Sequence, residues 1–431
     1  MKEINLALLG FGTVGSGVAT TIFENSSVIE EQLGCKLAIK HVLVRDIDKY
    51  KNNSLLRNIH VTDSFREIIE DDSLDIVVEV MGGISPAKEY IFSALEKHLS
   101  VVSANKDLVA LHGPEIIHKA IEKHVNFSCE ASVGGGIPIL MPLHQSLAAN
   151  RIESIVGILN GTTNYILTQM TETGRAYNEA LKDAQEKGFA EADPTNDVCG
   201  FDAARKLAIL SSIGFRANVT FDDVIVEGIT KISQNDIKYA KEMGYTVKLL
   251  TVALRQENGI ALNVYPAFVP NNHPMASVQG AYNAIYVTGN IVDDIMFYGR
   301  GAGSLPTASA VMGDVISTAH HILNRTTGTG MIMTDIKRIP LYSSGKLKNL
   351  YYFRLIVDDI TGVLAQIASA FSDNDVSIKE VVQKQRIEGS AELVIITENT
   401  TRQNILQVEK ALKVLPCMRE VANIIRVMGN E

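Results

Sequence analysis

Short apolar runs alternate with amphipathic stretches through the first 130 residues. Ile4–Leu9 is a continuous apolar run, followed by closely spaced glycines and a helical pattern reaching about Gln32. Leu37–Val44, Asp75–Val80 and Ser100–Ser103 are further runs, with helical patterns over Pro86–His98 and Gly113–His124. Strands apolar at nearly every position are buried on both faces, and the alternating helices supply the cover. The pattern predicts an open α/β domain on a Rossmann-type parallel sheet.

From Gly134 the texture changes. Glycine-rich turns surround amphipathic stretches at Ala176–Lys187 and Phe201–Ile213, and strand-like runs follow at Val247–Leu254, Gly259–Phe268 and Ala284–Val292. Elements without strict alternation predict an α+β domain. Residues 334–349, with Pro340, Ser343, Ser344 and Gly345, read as a linker. The remainder reads strand (Tyr351–Val357), helix (Gly362–Ser372), strand (Ser377–Gln385), strand (Ala391–Thr397), helix (Gln403–Val414), strand (Glu420–Val427). That order is the ferredoxin-like split arrangement. The expected organisation is therefore 1–133 for dinucleotide binding, 134–303 for catalysis and dimerisation, and 350–431 as a third domain, with 304–330 packing back onto the first.

Length agrees: 431 residues at about 150 per domain predict roughly three. Lys and Arg number 40 against 49 Asp and Glu, a net charge of −9, so the chain lacks the electrostatic footprint of a nucleic-acid or anionic-membrane binder. Four scattered cysteines, with no C-x-x-C pair, favour reduced thiols over a disulfide scaffold or zinc ribbon. Ile4–Phe23 is uncharged, but its glycines and the absence of an A-x-A pattern argue against a signal peptide or membrane span. A cytoplasmic protein is expected.

Three constellations carry chemistry. Gly10-Phe11-Gly12-Thr13-Val14-Gly15 follows a strand and opens a helix. There a first glycine permits the turn, a second lets backbone approach a pyrophosphate, and a third lets helix and strand pack closely. Where NAD binders usually place an acid after the second strand, Arg45 comes first, with Asp46 behind it. A guanidinium suits a 2′-phosphate, which favours NADP; Asp46 keeps NAD possible, and a surface arginine is the plain alternative.

The second lies on Phe201–Ile213, where Asp202 and Lys206 are four apart and share a face. Taking Asp202 as zero, Lys206 falls near ~40°, between Ile213 at ~20° and Leu210 at ~80°. A solvated ion pair would not be placed inside an apolar arc, so the pair faces a cleft or is buried with partners. A lysine there can move a proton while the carboxylate orients it. The third is Ser103-Ala104-Asn105-Lys106, at the carboxyl end of a parallel strand, where ligands of open α/β sheets bind; an ordinary loop lysine is the competing reading.

Together these segments resemble homoserine dehydrogenases of the longer form with a C-terminal ACT domain. The carrying stretches are GFGTVGSG (10–17), SANKDL (103–108), EASVGGGIP (130–138) and GILNGTTNYIL (157–167). To these add GFAEADPTNDVCGFDAARKLAIL (188–210) and GRGAGSLPTASAV (299–311). The resemblance implies reversible, nicotinamide-dependent interconversion of L-homoserine and L-aspartate 4-semialdehyde, on the route to threonine, methionine and isoleucine. It implies Lys206 as acid/base, Glu191 and Asp202 at the substrate's amino end, and Lys106 beside nicotinamide and substrate. Gly188 and Gly303 would line the cofactor. It also implies a monovalent cation, typically sodium, at Glu130, Val133, Gly135 and Ile137, held mostly by backbone oxygens.

Residues 351–397 resemble the start of an ACT domain, with Asp359-Ile360-Thr361-Gly362-Val363-Leu364-Ala365 at the strand–helix junction. This implies an amino-acid effector such as threonine, or a domain serving assembly alone, within a homodimer or homotetramer. Two other readings stay open: another ACT-bearing dehydrogenase, of 2-hydroxy acids, and a non-catalytic NADP-binding sensor.

Overall fold

A computed structural model describes residues 3–328, 339–387 and 389–429. Its first strands are β1 (Glu3–Leu9), β2 (Lys36–Leu43), β3 (His60–Thr62), β4 (Ile76–Glu79), β5 (Ser100–Ser103) and β6 (Phe127–Ser128). They form one six-stranded sheet in the order β3-β2-β1-β4-β5-β6, with every pairing parallel. This is the doubly wound order, with its switch point between β1 and β4. The helices are α1 (Thr13–Glu24), α2 (Ser26–Leu33), α3 (Phe65–Ile69), α4 (Ala87–Glu96) and α5 (Lys106–Glu122).

Two of these differ from the sequence reading. The long helix expected to Gln32 breaks at Asn25 into α1 and α2. The helix expected from Gly113 begins seven residues earlier at Lys106, with Pro114 inside it. A Gly-Pro pair is a strong breaker signal, and here the Asn105 side chain, accepting from the Leu108 N–H at 3.2 Å, starts the helix well before it. Lys106 is thus no loop residue; it opens α5.

The middle of the chain carries β7 (Ile152–Ile158), α6 (Gly161–Thr173), α7 (Tyr177–Glu186), α8 (Thr195–Val198) and α9 (Phe201–Gly214). Then come β8 (Ile225–Val226), α10 (Gln234–Glu242), β9 (Tyr245–Gln256), β10 (Gly259–Pro270), β11 (Tyr282–Gly289), β12 (Asp293–Arg300) and α11 (Ser304–Asn324). The last elements are β13 (Lys348–Asp358), α12 (Val363–Ser372), β14 (Ile378–Ile387), β15 (Ser390–Thr397), β16 (Thr400–Thr401), α13 (Arg402–Lys413) and β17 (Met418–Val427).

The chain gathers into two compact units, each discontinuous in sequence. The first comprises Met1–Ile155, Arg205–Asp223 and Asn283–Ile339. In its core Leu6, Leu8, Val42, Ile76, Val78 and Val102 of the sheet pack with Val18 and Ala19 of α1 and Val311 and Val315 of α11. The second comprises Val156–Ala204, Val224–Tyr282 and Pro340–Glu431. There β9 and β10 pair antiparallel, and β10 continues in parallel to β17 through Ala267↔Arg426 and Phe268↔Val427. The C-terminal strands follow in the order β17-β13-β15-β14, the ferredoxin-like arrangement.

Alternation along β13 assigns its two faces. Tyr351, Phe353, Leu355 and Val357 join Ile367 and Phe371 of α12 and Ile405 and Val408 of α13 in one apolar cluster. Tyr352 and Arg354 point the other way, to α10. Of the stretch read as a linker, 334–338 lie outside the described residues, while the Pro340 carbonyl accepts from Ile260 N–H at 3.0 Å and Tyr342 N–H donates to Ile260 at 2.8 Å. Among the described residues no helix is long and apolar enough to cross a membrane.

Candidate active site

The glycine motif spans the turn from β1 to α1. Gly10 sits at φ 106°, and a Cβ on Gly15 would lie 2.2 Å from the Gly10 carbonyl oxygen, so turn and close packing both need glycine. A Cβ on Gly12 would meet nothing within 4 Å. Gly12 caps α1 with its face open, as backbone must be to approach a pyrophosphate. Phe11 is buried, its ring edge-on to Tyr50 at 5.6 Å, and Val14 packs against the same core. Gly303 caps α11, and the hydroxyl of the next residue, Ser304, donates to the Thr13 carbonyl at 2.6 Å. Two helix starts therefore meet where the phosphates would lie. Arg45 is exposed just past β2, and the Asp46 carboxylate accepts from the Lys49 N–H at 3.3 Å.

At the neighbouring strand ends, Lys106 opens α5, followed by Asp107. The Asp107 carboxylate meets the Arg205 guanidinium at 3.6 Å, and Arg205 also stacks over Phe221 at 5.3 Å. Arg205 directly precedes Lys206, so this ion pair joins the two segments that carry the candidate lysines. Lys206 itself is half-buried on α9.

In the second unit Asp202 is 3% exposed, as the apolar arc required. A side-chain amide bridges it to a second carboxylate: Asn160 Nδ2 donates to Asp202 at 2.9 Å and to Asp197 on α8 at 2.7 Å. The Asn160 carbonyl oxygen meanwhile accepts from Thr163 N–H at 2.8 Å, capping α6. The result is a pair of carboxylates, from two helices, drawn together by one side-chain amide. Gly188, at φ 74°, and Glu191 are exposed on the segment after α7.

The sequence reading missed Asn160 and Asp197. Asp197 lies on a different helix from Asp202, so no helical wheel joins them; the signal was an acid in the short DPTND stretch beside a motif already singled out.

The four residues proposed for a cation lie in one buried turn, yet the Glu130 side chain is already engaged. Its oxygens accept from the N–H groups of Ile139 (2.5 Å), Leu140 (2.8 Å) and Met141 (2.8 Å). Its own N–H donates to Asp314 at 2.8 Å, and burial pushes the Asp314 carboxyl up to about 8. A cation there must rest on main-chain oxygens, including that of Glu130, which suits a weakly bound monovalent ion.

Three family models match the chain: "Homoserine dehydrogenase, NAD binding domain" over residues 10–130, "Homoserine dehydrogenase" over 138–316, and "ACT domain" over 351–417. The homoserine dehydrogenase of Bacillus subtilis is 41% identical over 433 residues, covering 100% of this chain and 99% of the relative. That of Corynebacterium glutamicum is 39% identical, covering 99% and 96%. The crystal structure of the Thiobacillus denitrificans homoserine dehydrogenase superposes with TM-score 0.94 at 38% identity, covering 99% of each chain. A hyperthermophilic archaeal homoserine dehydrogenase in complex with NADPH matches at 27% identity and TM-score 0.63, over 74% of this chain and 98% of its own. With relatives this similar along its whole length, and with the open glycine turn that a nicotinamide cofactor needs, the chain belongs to the homoserine dehydrogenase family of oxidoreductases and carries an ACT domain at its C-terminal end.

Proposed function

We propose that the chain interconverts L-homoserine and L-aspartate 4-semialdehyde with NADP, accepting NAD as a second cofactor, in the pathway to threonine, methionine and isoleucine. The observation that carries this reading is the buried Asp202, held with Asp197 by Asn160, four residues before the half-buried Lys206 on the same helix. Asp202 and Glu191 attract the substrate's ammonium group. When bound, the nicotinamide supplies or receives the hydride at the substrate's carbon. Lys206 Nζ gives a proton to the developing alkoxide in reduction and takes the hydroxyl proton in oxidation, so aldehyde, hydride and proton balance the alcohol. Lys106 adds positive charge beside substrate and cofactor.

Gly10 to Gly15, Gly188 and Gly303 line the cofactor. Arg45 takes the 2′-phosphate, a reading supported by its exposure beyond β2 and by the NADPH complex of the archaeal relative. Backbone oxygens of Glu130, Val133, Gly135 and Ile137 hold a sodium ion that shapes the turn and takes no part in proton transfer. The ACT domain binds an end-product amino acid, most naturally threonine, in a homodimer or homotetramer. The four free cysteines fit a cytoplasmic setting.

The test is absorbance at 340 nm with L-homoserine and NADP or NAD, with and without threonine, run beside Lys206→Ala. We expect homoserine-dependent reduction, faster with NADP, and a loss of about 10²–10⁴ in kcat for the variant with NADPH binding kept. Wild-type turnover by Lys206→Ala refutes its role. An enzyme that binds NADPH yet reduces no cofactor refutes the activity.

A further inference from the structure

A glutamate stands in the most buried strand of the parallel sheet. β4 reads Ile76-Val77-Val78-Glu79, all four residues buried, and Glu79 is 0% exposed at its carboxyl end. Among the described residues no cation pairs with it, and its hydrogen-bond partners are all neutral donors. Oε1 accepts from Met81 N–H at 2.9 Å, from Gly82 N–H at 3.3 Å and from Asn105 Nδ2 at 3.5 Å. Oε2 accepts from the Ser103 hydroxyl at 2.7 Å. Burial pushes its carboxyl up, and the same four donors oppose that shift.

These donors come from three places: the turn after β4, the end of β5, and the cap of α5. Asn105 links them further. Its Nδ2 donates to the Gly83 carbonyl at 2.6 Å, its N–H donates to Ser103 Oγ at 3.1 Å, and its Oδ1 caps α5 at Leu108. A residue kept only for packing would be apolar here, like its three neighbours, because an ionisable group buried without a counter-charge is costly. The carboxylate instead ties together the backbone segments at the sheet edge where ligands of such folds bind. Lys106 is the first helical residue after that node.

We propose that Glu79 is a positioning residue for the dehydrogenase reaction: through Ser103 and Asn105 it fixes the start of α5, and with it the place of Lys106 at the carboxyl edge of the sheet. This rests on the reading above that Lys106 lies beside substrate and cofactor. Displacement of a contributing group by about 1 Å costs on the order of 10²-fold in rate, so the effect is read in kcat.

The experiment is a double-mutant cycle in the full chain, with Glu79→Ala, Lys106→Ala and the pair, following kcat for homoserine oxidation. Circular dichroism and NADPH fluorescence check folding and cofactor binding. We expect Glu79→Ala to lower kcat about 10–100-fold, yet to add less than about two-fold in the Lys106→Ala background. Glu79→Gln, whose amide keeps an acceptor for the two turn N–H groups and a donor for Ser103 Oγ, should stay within about three-fold of wild type. If Glu79→Ala does not fold, Asn105→Ala carries the same test, with the same loss and the same non-additivity.

Full, multiplicative losses in the Lys106→Ala background overturn the proposal, since the carboxylate then acts on something other than Lys106. Wild-type kcat in both Glu79→Ala and Asn105→Ala also overturns it, while leaving Lys106 in place. Wild-type kcat in Lys106→Ala itself overturns the underlying reading of the lysine, and the proposal with it.

Discussion

Glu79 in the first unit is a fully buried ionisable side chain and Arg354 in the second a largely covered one, 11% exposed, and their surroundings differ in kind. Glu79 is held by hydroxyl, amide and backbone donors. Arg354 joins Asp236 at 2.7 Å and Glu392 at 3.1 Å, with Ser233 Oγ at 3.0 Å as a further acceptor. Tyr352 and Asn423 donate to Asp236, and Tyr239 donates to Glu392 at 2.5 Å. Neutral partners orient a charge without cancelling it, so burial shifts Glu79 toward its protonated form. The paired guanidinium also shifts upward, but for arginine that holds the charged form: its two carboxylates together outweigh the burial. One arrangement ties together backbone segments at the carboxyl edge of the parallel sheet. The other is an ion-paired clamp that fastens α10 to the ACT sheet.

Lys248 tests the same contrast inside the second unit. It is buried on β9, donates to the Asn164 side-chain oxygen at 3.1 Å and to the Val278 carbonyl, and burial lowers it to about 8. It behaves as Glu79 does, with the sign reversed.

The comparison breaks most sharply at Arg354. Arg354→Leu leaves Asp236 and Glu392 buried without their cation, so we expect a loss of about 3–5 kcal/mol in urea unfolding of the full chain. A loss below about 1 kcal/mol would show the clamp to be dispensable.

Lys248 gives the next effect through pH. Its folded value lies below the ordinary lysine value of 10.5, so between about 8 and 10.5 the unfolded chain binds the extra proton. Stability from this group is present above that window and lost as pH falls toward about 8, with a total on the order of 3 kcal/mol. Subtracting the Lys248→Met profile from wild type should leave a difference that rises with pH across the window; a flat difference contradicts the assignment. The smallest effect is at Ser103. Ser103→Ala removes one of four donors to Glu79, and chemical denaturation should report a loss of about 1 kcal/mol. A loss as large as that of Arg354→Leu would erase the distinction between the two surroundings.

Much of the architecture was legible from periodicity. The apolar runs of the first 130 residues became β1, β2, β4 and β5 within a residue or two, because strands covered on both faces leave a continuous signal. The C-terminal order was equally plain from alternation. The break at Asn25 and the early start of α5 were not. Both depend on a side chain or backbone group meeting a particular partner, and Pro114 argued the wrong way. Residue by residue the candidate site divides likewise. The helical wheel placed Asp202 in an apolar arc and the structure buries it, whereas Asn160, Asp197 and Glu79 escaped notice because their partners lie far away in sequence. Glu79 did leave a trace, an acid closing the run DIVVEV.

What the sequence determined alone is whatever acts within a few residues: the glycine turn before α1, the face shared by Asp202 and Lys206, and the strand–helix order that selects a parallel sheet. Those follow from local sterics and from the periods of helix and strand. What only the tertiary structure decided is which distant groups satisfy a buried charge. Ser103 and Asn105 reach Glu79, Asn160 joins Asp197 to Asp202, and Arg354 finds Asp236 more than a hundred residues away. The physical reason is that burial removes water as a partner, so each such group must be met by whatever the fold brings to it.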